Sequence, residues 1–235
     1  MTLKATNESR QDTESSSQAS DWRATLIGKI GAFLLHLLAL TWRSDASQLA
    51  KIDEQIASGV PVVAVFWHSS YLSLFALAGG RPVTVFTSQS FRGRIIASIC
   101  RTFGYAPSLL PPGRQGYHHM RKVLRDKRRD IDQSVLVGIA VDGPLGPRHI
   151  VKPGALHIAA RMGALVVPIH VTSQPNWTIR RRWDRFKIPL PFARVKLQVG
   201  PPIRVPETFG SDHEEVVQLR QRVHDRLNGD SVSAG

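Results

Sequence analysis

The hydrophobic positions of this chain form short runs of two kinds, and each kind predicts an element of secondary structure. Apolar residues spaced as on one helix face end at Gly59, and the continuous apolar stretch at 61–67 that follows is typical of a buried strand. Further strands are predicted at 82–87, 105–110, 134–141, 164–171 and 194–199. Helices are predicted at 91–103 with Ser90 as the cap, at 115–129, at 155–162, and after a capping box of Ser211 and Glu214.

The regular alternation of strands and helices predicts an α/β fold. Continuously apolar strands are typical of a sheet covered on both faces, so we expect a single domain with a mostly parallel or mixed central sheet flanked by helices. Residues 1–21 are rich in serine and acidic residues and are predicted to form a disordered tail. An apolar, membrane-docking helix is expected at 22–44, and the α/β domain at 45–228.

The longest apolar run, at 26–40, is interrupted by Lys29 and His36. As a helix it is about 22 Å long, which is shorter than the hydrocarbon core of a bilayer at about 30 Å. A helix that lies in the membrane interface is therefore favoured, while a tilted span and a buried core helix stay open. The headgroup anchors would be Trp22, Arg23, Trp42 and Arg43.

Composition limits the partners and the cofactors. The 235 residues hold 31 Lys and Arg against 18 Asp and Glu, a net charge of +13, which predicts an anionic partner. Anionic lipid, coenzyme A phosphates, an acidic carrier protein and nucleic acid all fit this charge, but no recognised nucleic-acid motif supports the last of them. Cys100 is the single cysteine, which excludes a disulfide framework and a structural zinc site.

Two stretches concentrate the positive charge. Residues 114–130 contain seven Lys or Arg and two Asp, and residues 176–187 contain five Lys or Arg and one Asp, with Trp177 and Trp183 between them. Tryptophan among arginines suits a lipid headgroup region or stacking on bases. Solvated surface explains such stretches as well.

His68 is a candidate general base because it follows the apolar strand at 61–67 directly. In open α/β sheets, ligands gather where strands end and loops begin. Imidazole has an ordinary pKa of about 6.5, so it takes a proton from a hydroxyl near neutral pH and returns it later. A histidine that is simply hydrogen-bonded at a strand end is the alternative interpretation.

The loop at 142–154 is rich in glycine and proline and also follows an apolar strand. Its glycines allow close backbone approach, and Arg148 and Lys152 offer positive charge to a phosphate. The chain contains no GxxxxGK[ST] signature, so nucleotide hydrolysis is unsupported. A stiff structural loop is the alternative.

Several segments taken together resemble a bacterial branch of the lysophospholipid acyltransferase superfamily, over roughly residues 25–203. They are Phe66–His68, Ser88–Ser90, Val141–Arg148, Val151–Gly154, Val167–Pro168 and Trp183–Phe192. Members of this superfamily transfer a fatty acyl group from acyl-CoA or acyl carrier protein to a hydroxyl of a lysolipid or glycerophosphate, without a metal. The resemblance therefore implies a lysolipid acceptor, no cofactor, and a peripheral or monotopic protein at the cytoplasmic face of the inner membrane, on an anionic lipid surface.

The resemblance also implies roles for individual residues. His68 matches the histidine of the family's His-x4-Asp motif, which is the general base for the acceptor hydroxyl. Asp142 and Gly143 resemble the Glu-Gly of the third motif, which contacts the phosphate side of the acceptor together with an arginine, here Arg148. Backbone amides near Gly143 are candidates for stabilising the oxyanion.

The chain departs from the family at three places. Ser73 stands five positions after His68, where the superfamily has an acid that orients the imidazole, and Asp142 is the predicted substitute carboxylate. Arg92-Gly93-Arg94 replaces an Asp-Gly-Glu, and Leu110–Gly113 replaces an Arg-Gly-Ser stretch. The predicted substrate-binding set is Ser73, Arg92, Arg94, Arg114, Gly143, Arg148 and Lys152.

These departures keep two alternatives to an active acyltransferase open. One is a non-catalytic descendant that binds lipid or acyl carrier protein. It is motivated by Ser73, which offers a hydrogen bond but no charge, and by Arg92 and Arg94. The other is a basic nucleic-acid-binding protein. Only the net charge and the two basic stretches support it.

Overall fold

In the computed structural model, which describes residues 3–129, 135–210 and 212–229, eight strands and seven α-helices form the fold. Side chains are described at 21–128, 135–210 and 212–229. The helices are α1 (Leu3–Leu40), α2 (Ala50–Ala57), α3 (Tyr71–Leu77), α4 (Phe91–Thr102), α5 (Gly113–Arg129), α6 (Gly154–Met162) and α7 (His213–Asn228). The strands are β1 (Arg43–Asp45), β2 (Val62–Phe66), β3 (Thr84–Ser88), β4 (Ala106–Leu110), β5 (Leu136–Ala140), β6 (Leu165–Ile179), β7 (Phe186–Val199) and β8 (Ile203–Arg204).

The strands form one mixed sheet in the order β1-β7-β6-β2-β5-β3-β4, with β8 paired to β6. Strand β2 lies at its centre and runs parallel to β5 and β6, while β3 runs parallel to β5 and β4. Strands β6 and β7 form a long antiparallel hairpin, and β1 adds to β7 in parallel. This arrangement confirms the predicted α/β class with a mixed central sheet.

Each face of the sheet carries its own apolar core, because successive side chains of a strand point to opposite faces. On β2, Val62 and Ala64 pack into a core with residues of α1 to α4. Val63 and Val65 pack into a second core with residues of α5, α6 and α7. The sheet is therefore covered by helices on both sides, as its continuously apolar strands predict.

Helix α1 packs on α4 through small residues. Ala24, Gly28 and Ala32 are buried, and a Cβ at Gly28 would lie 2.4 Å from the Cβ of Ser98. The Ser98 hydroxyl donates to the Thr25 carbonyl oxygen at 3.0 Å. The two helix backbones approach closely because glycine leaves room for the facing side chain.

The other side of α1 exposes large apolar side chains. The segment Asp21–Leu40 is long and apolar enough to cross a membrane, judged by length and composition. Its exposed apolar side chains are Trp22, Leu26, Ile27, Ile30, Phe33, Leu34, Leu37 and Leu40. With so much apolar surface uncovered, α1 does not match the alternative of a buried core helix and is compatible with membrane association.

The structure differs from the sequence prediction at several boundaries. Helix α1 begins at Leu3, so its backbone includes most of the segment at 1–21 that was expected to be disordered. Extending an existing helix adds one hydrogen bond per residue ordered, which costs far less than nucleating a new one.

Ser90 caps α4 as predicted, since its hydroxyl accepts the Gly93 N–H at 3.2 Å. Strands β6 and β7 are both longer than the apolar stretches that predicted them.

The cap of α7 is Asp212, whose carboxylate accepts the Glu214 N–H at 3.0 Å. The predicted capping residue, Ser211, lies outside the described residues.

Two glycines of α1 offer a matched test of the α1–α4 contact. Gly31→Ala should stabilise the protein by up to about 1 kcal/mol through helix propensity, because its Cβ meets the Ile99 side chain at an ordinary 3.6 Å. Gly28→Ala should instead destabilise it by about 1–2 kcal/mol, since the new methyl overlaps Ser98. Urea unfolding in a mild detergent measures both variants. Equal effects at the two positions would contradict the close contact at Gly28.

Candidate active site

The site lies at the carboxyl ends of three neighbouring parallel strands. His68 follows β2 and begins a short 3-10 turn, Ser90 follows β3, and Asp142 follows β5. Parallel strands bring these ends to the same edge of the sheet, where α/β proteins bind ligands.

The imidazole of His68 is held by a carboxylate from a distant part of the chain. Its Nδ1 lies 2.8 Å from Oδ2 of Asp184, which is 116 residues further along, in the connection between β6 and β7. Asp184 is completely buried, and the His68 side chain is 23% exposed. The ring also contacts Tyr71 and Trp183, with ring centroids 5.1 and 5.2 Å away. Because Nδ1 is engaged, Nε2 is the ring nitrogen left for a substrate.

Asp184 is itself held by Arg182. The guanidinium donates from Nε to Oδ1 at 2.9 Å and from Nη2 to Oδ2 at 2.8 Å. Burial acts to raise the pKa of Asp184, but the hydrogen bonds from Arg182 and His68 outweigh it and hold that pKa below its ordinary value. The carboxylate is therefore ionised at neutral pH.

The structure corrects the predicted role of Asp142. Its Oδ1 accepts the backbone N–H of His68 at 2.9 Å, while its Oδ2 is buried and has no hydrogen-bond partner among the described residues. Burial raises the pKa of Asp142. Asp142 follows a strand adjacent to β2, so its side chain reaches the neighbouring backbone rather than the ring. Asp142 thus positions the chain at His68, and Asp184 is the carboxylate that orients the imidazole.

Ser73 does not take the place of the missing acid either. It lies on α3, is 3% exposed, and is absent from the lining of the cavities that His68 borders in the described part of the chain. Asp184 was missed in the sequence because nothing local ties it to His68. One sequence feature could have pointed to Asp184 as a functional residue. It is the one acidic residue within the basic stretch 176–187.

Two cavities meet at His68, and they extend toward opposite faces of the sheet. The α6-side cavity has a volume of about 780 Å³ and includes Met120, Ala155 and Ile158 in its walls. The α4-side cavity has a volume of about 400 Å³. The residues that line this cavity but not the α6-side cavity include Arg92, Gly93, Ile96 and Cys100. Both volumes are in the range of ligand pockets, about 300–1,000 Å³.

Gly143 and Lys152 lie together in the wall of the α6-side cavity. Gly143 has a φ of +68°, which favours glycine, and a Cβ there would lie 3.1 Å from Nζ of Lys152. The Gly143 N–H donates to the Ala140 carbonyl oxygen at 3.1 Å, so this amide is already engaged. The Lys152 ammonium is thus a better candidate than the Gly143 amide for meeting negative charge on this side.

The predicted arginines fall in different places. Arg92 lines the α4-side cavity. Arg94 points away to form an ion pair with Asp21 of α1 at 2.8 Å. Arg114 is exposed at the start of α5, and Arg148 has a buried Nε without a partner among the described residues. Neither Arg114 nor Arg148 lines a cavity that contains His68 in the described part of the chain.

Trp67 fixes the loop at 142–154 against the end of β2. Its ring stacks on His149 with centroids 4.6 Å apart, and its Nε1 donates to Asn228 Oδ1 at 3.1 Å. Burial, with the nearby Arg148 and Lys187 cations, lowers the pKa of His149 to about 4. His149 is therefore neutral at pH 7 and stacks as an uncharged ring.

Comparisons with known proteins address the fold. No family model matches the chain. Over 143 residues, 60% of this chain, it is 28% identical to the uncharacterized protein RP090 of Rickettsia prowazekii (strain Madrid E), and the match spans 63% of that relative's length. The structure is similar to the crystal structure of the 1-acyl-sn-glycerophosphate (LPA) acyltransferase PlsC from Thermotoga maritima, with a TM-score of 0.51 and 16% identity, covering 95% of this chain and 84% of that chain. The chain thus has a fold like that of a known acyltransferase, which supports the superfamily resemblance at the level of fold.

Proposed function

We propose that this protein transfers a fatty acyl group from an acyl thioester to a hydroxyl of a lysophospholipid or a related lipid. The observation that carries the proposal is the His68–Asp184 pair, which stands at the junction of two cavities. Acyl transfer to a hydroxyl calls for a general base at the point where donor and acceptor meet, and this geometry supports that arrangement. The fold, similar to that of an acyltransferase, agrees with it.

The proposed reaction begins when Nε2 of His68 takes the proton of the acceptor hydroxyl. The acceptor oxygen attacks the thioester carbonyl carbon and forms a tetrahedral intermediate. Collapse of the intermediate breaks the carbon–sulfur bond, and the departing thiolate takes the proton back from the imidazolium. The products are the acylated lipid and the free thiol, and His68 is again neutral.

Asp184 contributes in two ways. Its hydrogen bond to Nδ1 selects the ring tautomer in which Nε2 is free to accept a proton. Its negative charge stabilises the imidazolium that forms in the reaction, as the aspartate of a serine-protease triad does. Arg182 keeps the carboxylate ionised and in place.

The two cavities suggest different occupants. The α6-side cavity suits the acyl chain, since its apolar walls include Phe86, Leu110, Met120, Ile139 and Ile158. The α4-side cavity suits the acceptor, because Arg92 and the first turn of α4 offer positive charge and N–H groups to a phosphate. Lys152 stands on the donor side, where it would meet the carbonyl oxygen or a phosphate of the donor.

We place the protein at the cytoplasmic face of the inner membrane, with the exposed apolar side of α1 in the lipid. Helix α1 packs directly on α4, so the membrane and the acceptor cavity share one face of the sheet. A lysolipid would reach the cavity from the bilayer along this side. Both acyl-CoA and acyl carrier protein remain candidate donors.

The non-catalytic alternative rests on Ser73 in place of an acid and on Arg92 and Arg94 in place of two further acids of the family. The carboxylate of Asp184 beside His68 weakens the argument from Ser73 and leaves the argument from the two arginines in place. Binding of lysolipids without turnover would still favour that alternative, and steeply salt-dependent binding of DNA or RNA would favour the third.

The base and its carboxylate can be tested by acyl transfer assays with labelled acyl-CoA and acyl carrier protein donors, against a panel of lysolipids and glycerol phosphate. His68→Ala should abolish transfer. Asp184→Asn should lower kcat by about 10²–10⁴-fold, with KM nearly unchanged, because the amide cannot stabilise the imidazolium. Asp142→Asn should cost less than Asp184→Asn, since an amide oxygen still accepts the His68 backbone N–H. Transfer near the wild-type rate in His68→Ala would remove His68 from the mechanism.

The phosphate contact can be tested with two arginines of one helix. Arg92→Gln should raise KM for a phosphate-bearing acceptor by about tenfold or more, as expected for a charged hydrogen bond worth about 1.5–3 kcal/mol. Arg94→Gln is the matched control, because Arg94 pairs with Asp21 rather than facing the cavity. Steady-state kinetics with varied acceptor measure both variants. A larger KM effect at Arg94 would contradict this assignment.

The acyl cavity can be tested by filling it. Met120→Trp should shift the preferred acyl donor to a shorter chain, because the larger ring takes up space in the α6-side cavity. Tyr117→Trp is the control on the same helix, since Tyr117 is exposed and outside the cavity lining. Rates with a series of acyl-CoA lengths measure the preference. An unchanged preference in Met120→Trp would argue that the chain binds elsewhere.

A further inference from the structure

Strand β7 carries a large bulge. Gln174 of β6 pairs with Arg194 of β7, and Asn176 pairs with Pro189. One residue of β6 and four residues of β7 lie between these two pairs. Residues 190–193 of β7, called the β7 bulge below, therefore face a single residue of β6. Unequal pairing of this kind pushes the extra residues out of the sheet.

The β7 bulge presents apolar side chains to the outside. Phe192 is 71% exposed and Leu190 is 39% exposed. Phe192 has a φ of +61°, a conformation that residues other than glycine adopt rarely and that here turns the side chain outward from a buried neighbour, Ala193. An exposed phenylalanine on a strained backbone is not explained by packing within the chain.

The bulge lies at the carboxyl end of α1. The Phe192 N–H donates to the hydroxyl of Thr41 at 3.2 Å, and Thr41 follows Leu40 directly. Leu40 is 68% exposed and belongs to the uncovered apolar side of α1. The exposed apolar residues of the helix and of the bulge therefore come together at one end of the molecule.

Positive charge lies next to the bulge. Arg43 of β1 is paired in register with Arg194 of β7, and both side chains are exposed. Like charges placed opposite each other on neighbouring strands repel, so this pair favours a negatively charged partner. Lys196, two residues further along the same strand, is exposed but pairs in register with Asp45 of β1, which offsets its charge. The bulge thus has exposed apolar side chains with arginines next to them. This order matches a lipid leaflet, in which the acyl chains lie below a layer of headgroup phosphates.

We propose that the β7 bulge is a second membrane-inserting element, in which Leu190 and Phe192 enter the interface of an anionic phospholipid bilayer and Arg43 and Arg194 bind headgroup phosphates. The inference rests on the membrane association of α1 proposed above. A contact through one side of a single helix leaves the domain free to rock about the helix axis. A second contact restricts that motion and so defines more sharply which side of the domain faces the lipid.

The test uses a dye attached to one introduced cysteine. Cys100 borders the α4-side cavity, but it is buried and burial raises its thiol pKa to about 12, so it should react far more slowly than an exposed cysteine. Phe192→Cys is labelled with an environment-sensitive fluorophore and mixed with vesicles of phosphatidylcholine and phosphatidylglycerol. Val217→Cys is the control, because Val217 is exposed on α7, which covers the opposite face of the sheet. We expect a blue shift and at least a twofold gain in intensity at 192, and neither at 217.

Flotation of the same samples separates the two proposals. Protein that floats with the vesicles while the dye at 192 stays unchanged would overturn the insertion of the bulge and leave the docking of α1 intact. Wild-type protein that does not float would overturn both. In a parallel measurement, Arg194→Gln should weaken binding to the anionic vesicles several-fold, while Arg204→Gln, an exposed arginine on β8, should leave it unchanged. Equal effects of the two arginines would contradict a specific headgroup contact at the bulge.

Discussion

The carboxylate of Asp184 is completely buried, and a buried charge is tolerated only where other groups compensate it. Arg182 compensates the charge with two hydrogen bonds from its guanidinium, and His68 contributes a third contact through Nδ1. The pairing joins the connection between β6 and β7 to the end of β2. The orientation of the His68 ring therefore depends on the connection between β6 and β7 as well as on the strand that precedes His68.

The alternation of side chains along β2 has consequences beyond packing. It separates the interior into two cores, and a cavity extends from His68 toward each face of the sheet. In the proposed reaction, each substrate would bind on its own side of the sheet and meet the other at His68. On the α4 side, the cavity lies on the face that also carries α1 and its exposed apolar residues.

Helix α1 has one packed side and one exposed apolar side. Small residues allow α1 to lie close to α4, and large apolar side chains cover the side that remains free. This division explains why the helix pattern alone left three interpretations open. Apolar residues all around a helix are compatible with a core, a span or an interface. The position of α4 shows which side is packed and which side is uncovered.

The sequence by itself determined the elements and the fold class. Strand periodicity, the Ser90 cap and the apolar character of β2 are encoded within a few residues, so the α/β sheet and the placement of His68 at a strand end could be predicted. The resemblance to acyltransferases implied His68 as a base, and Asp142 was the expected substitute for the acid that the family has at the position of Ser73.

Only the tertiary structure decided the partners of those residues. Asp184 meets His68 across 116 residues because a hairpin of two long strands returns it there, and no local pattern records such a contact. Arg92 and Arg94 are two residues apart on α4, yet one faces a cavity and the other pairs with α1. Sequence patterns report the side of an element that is apolar. The identity of the group opposite each side chain is set by how the elements pack.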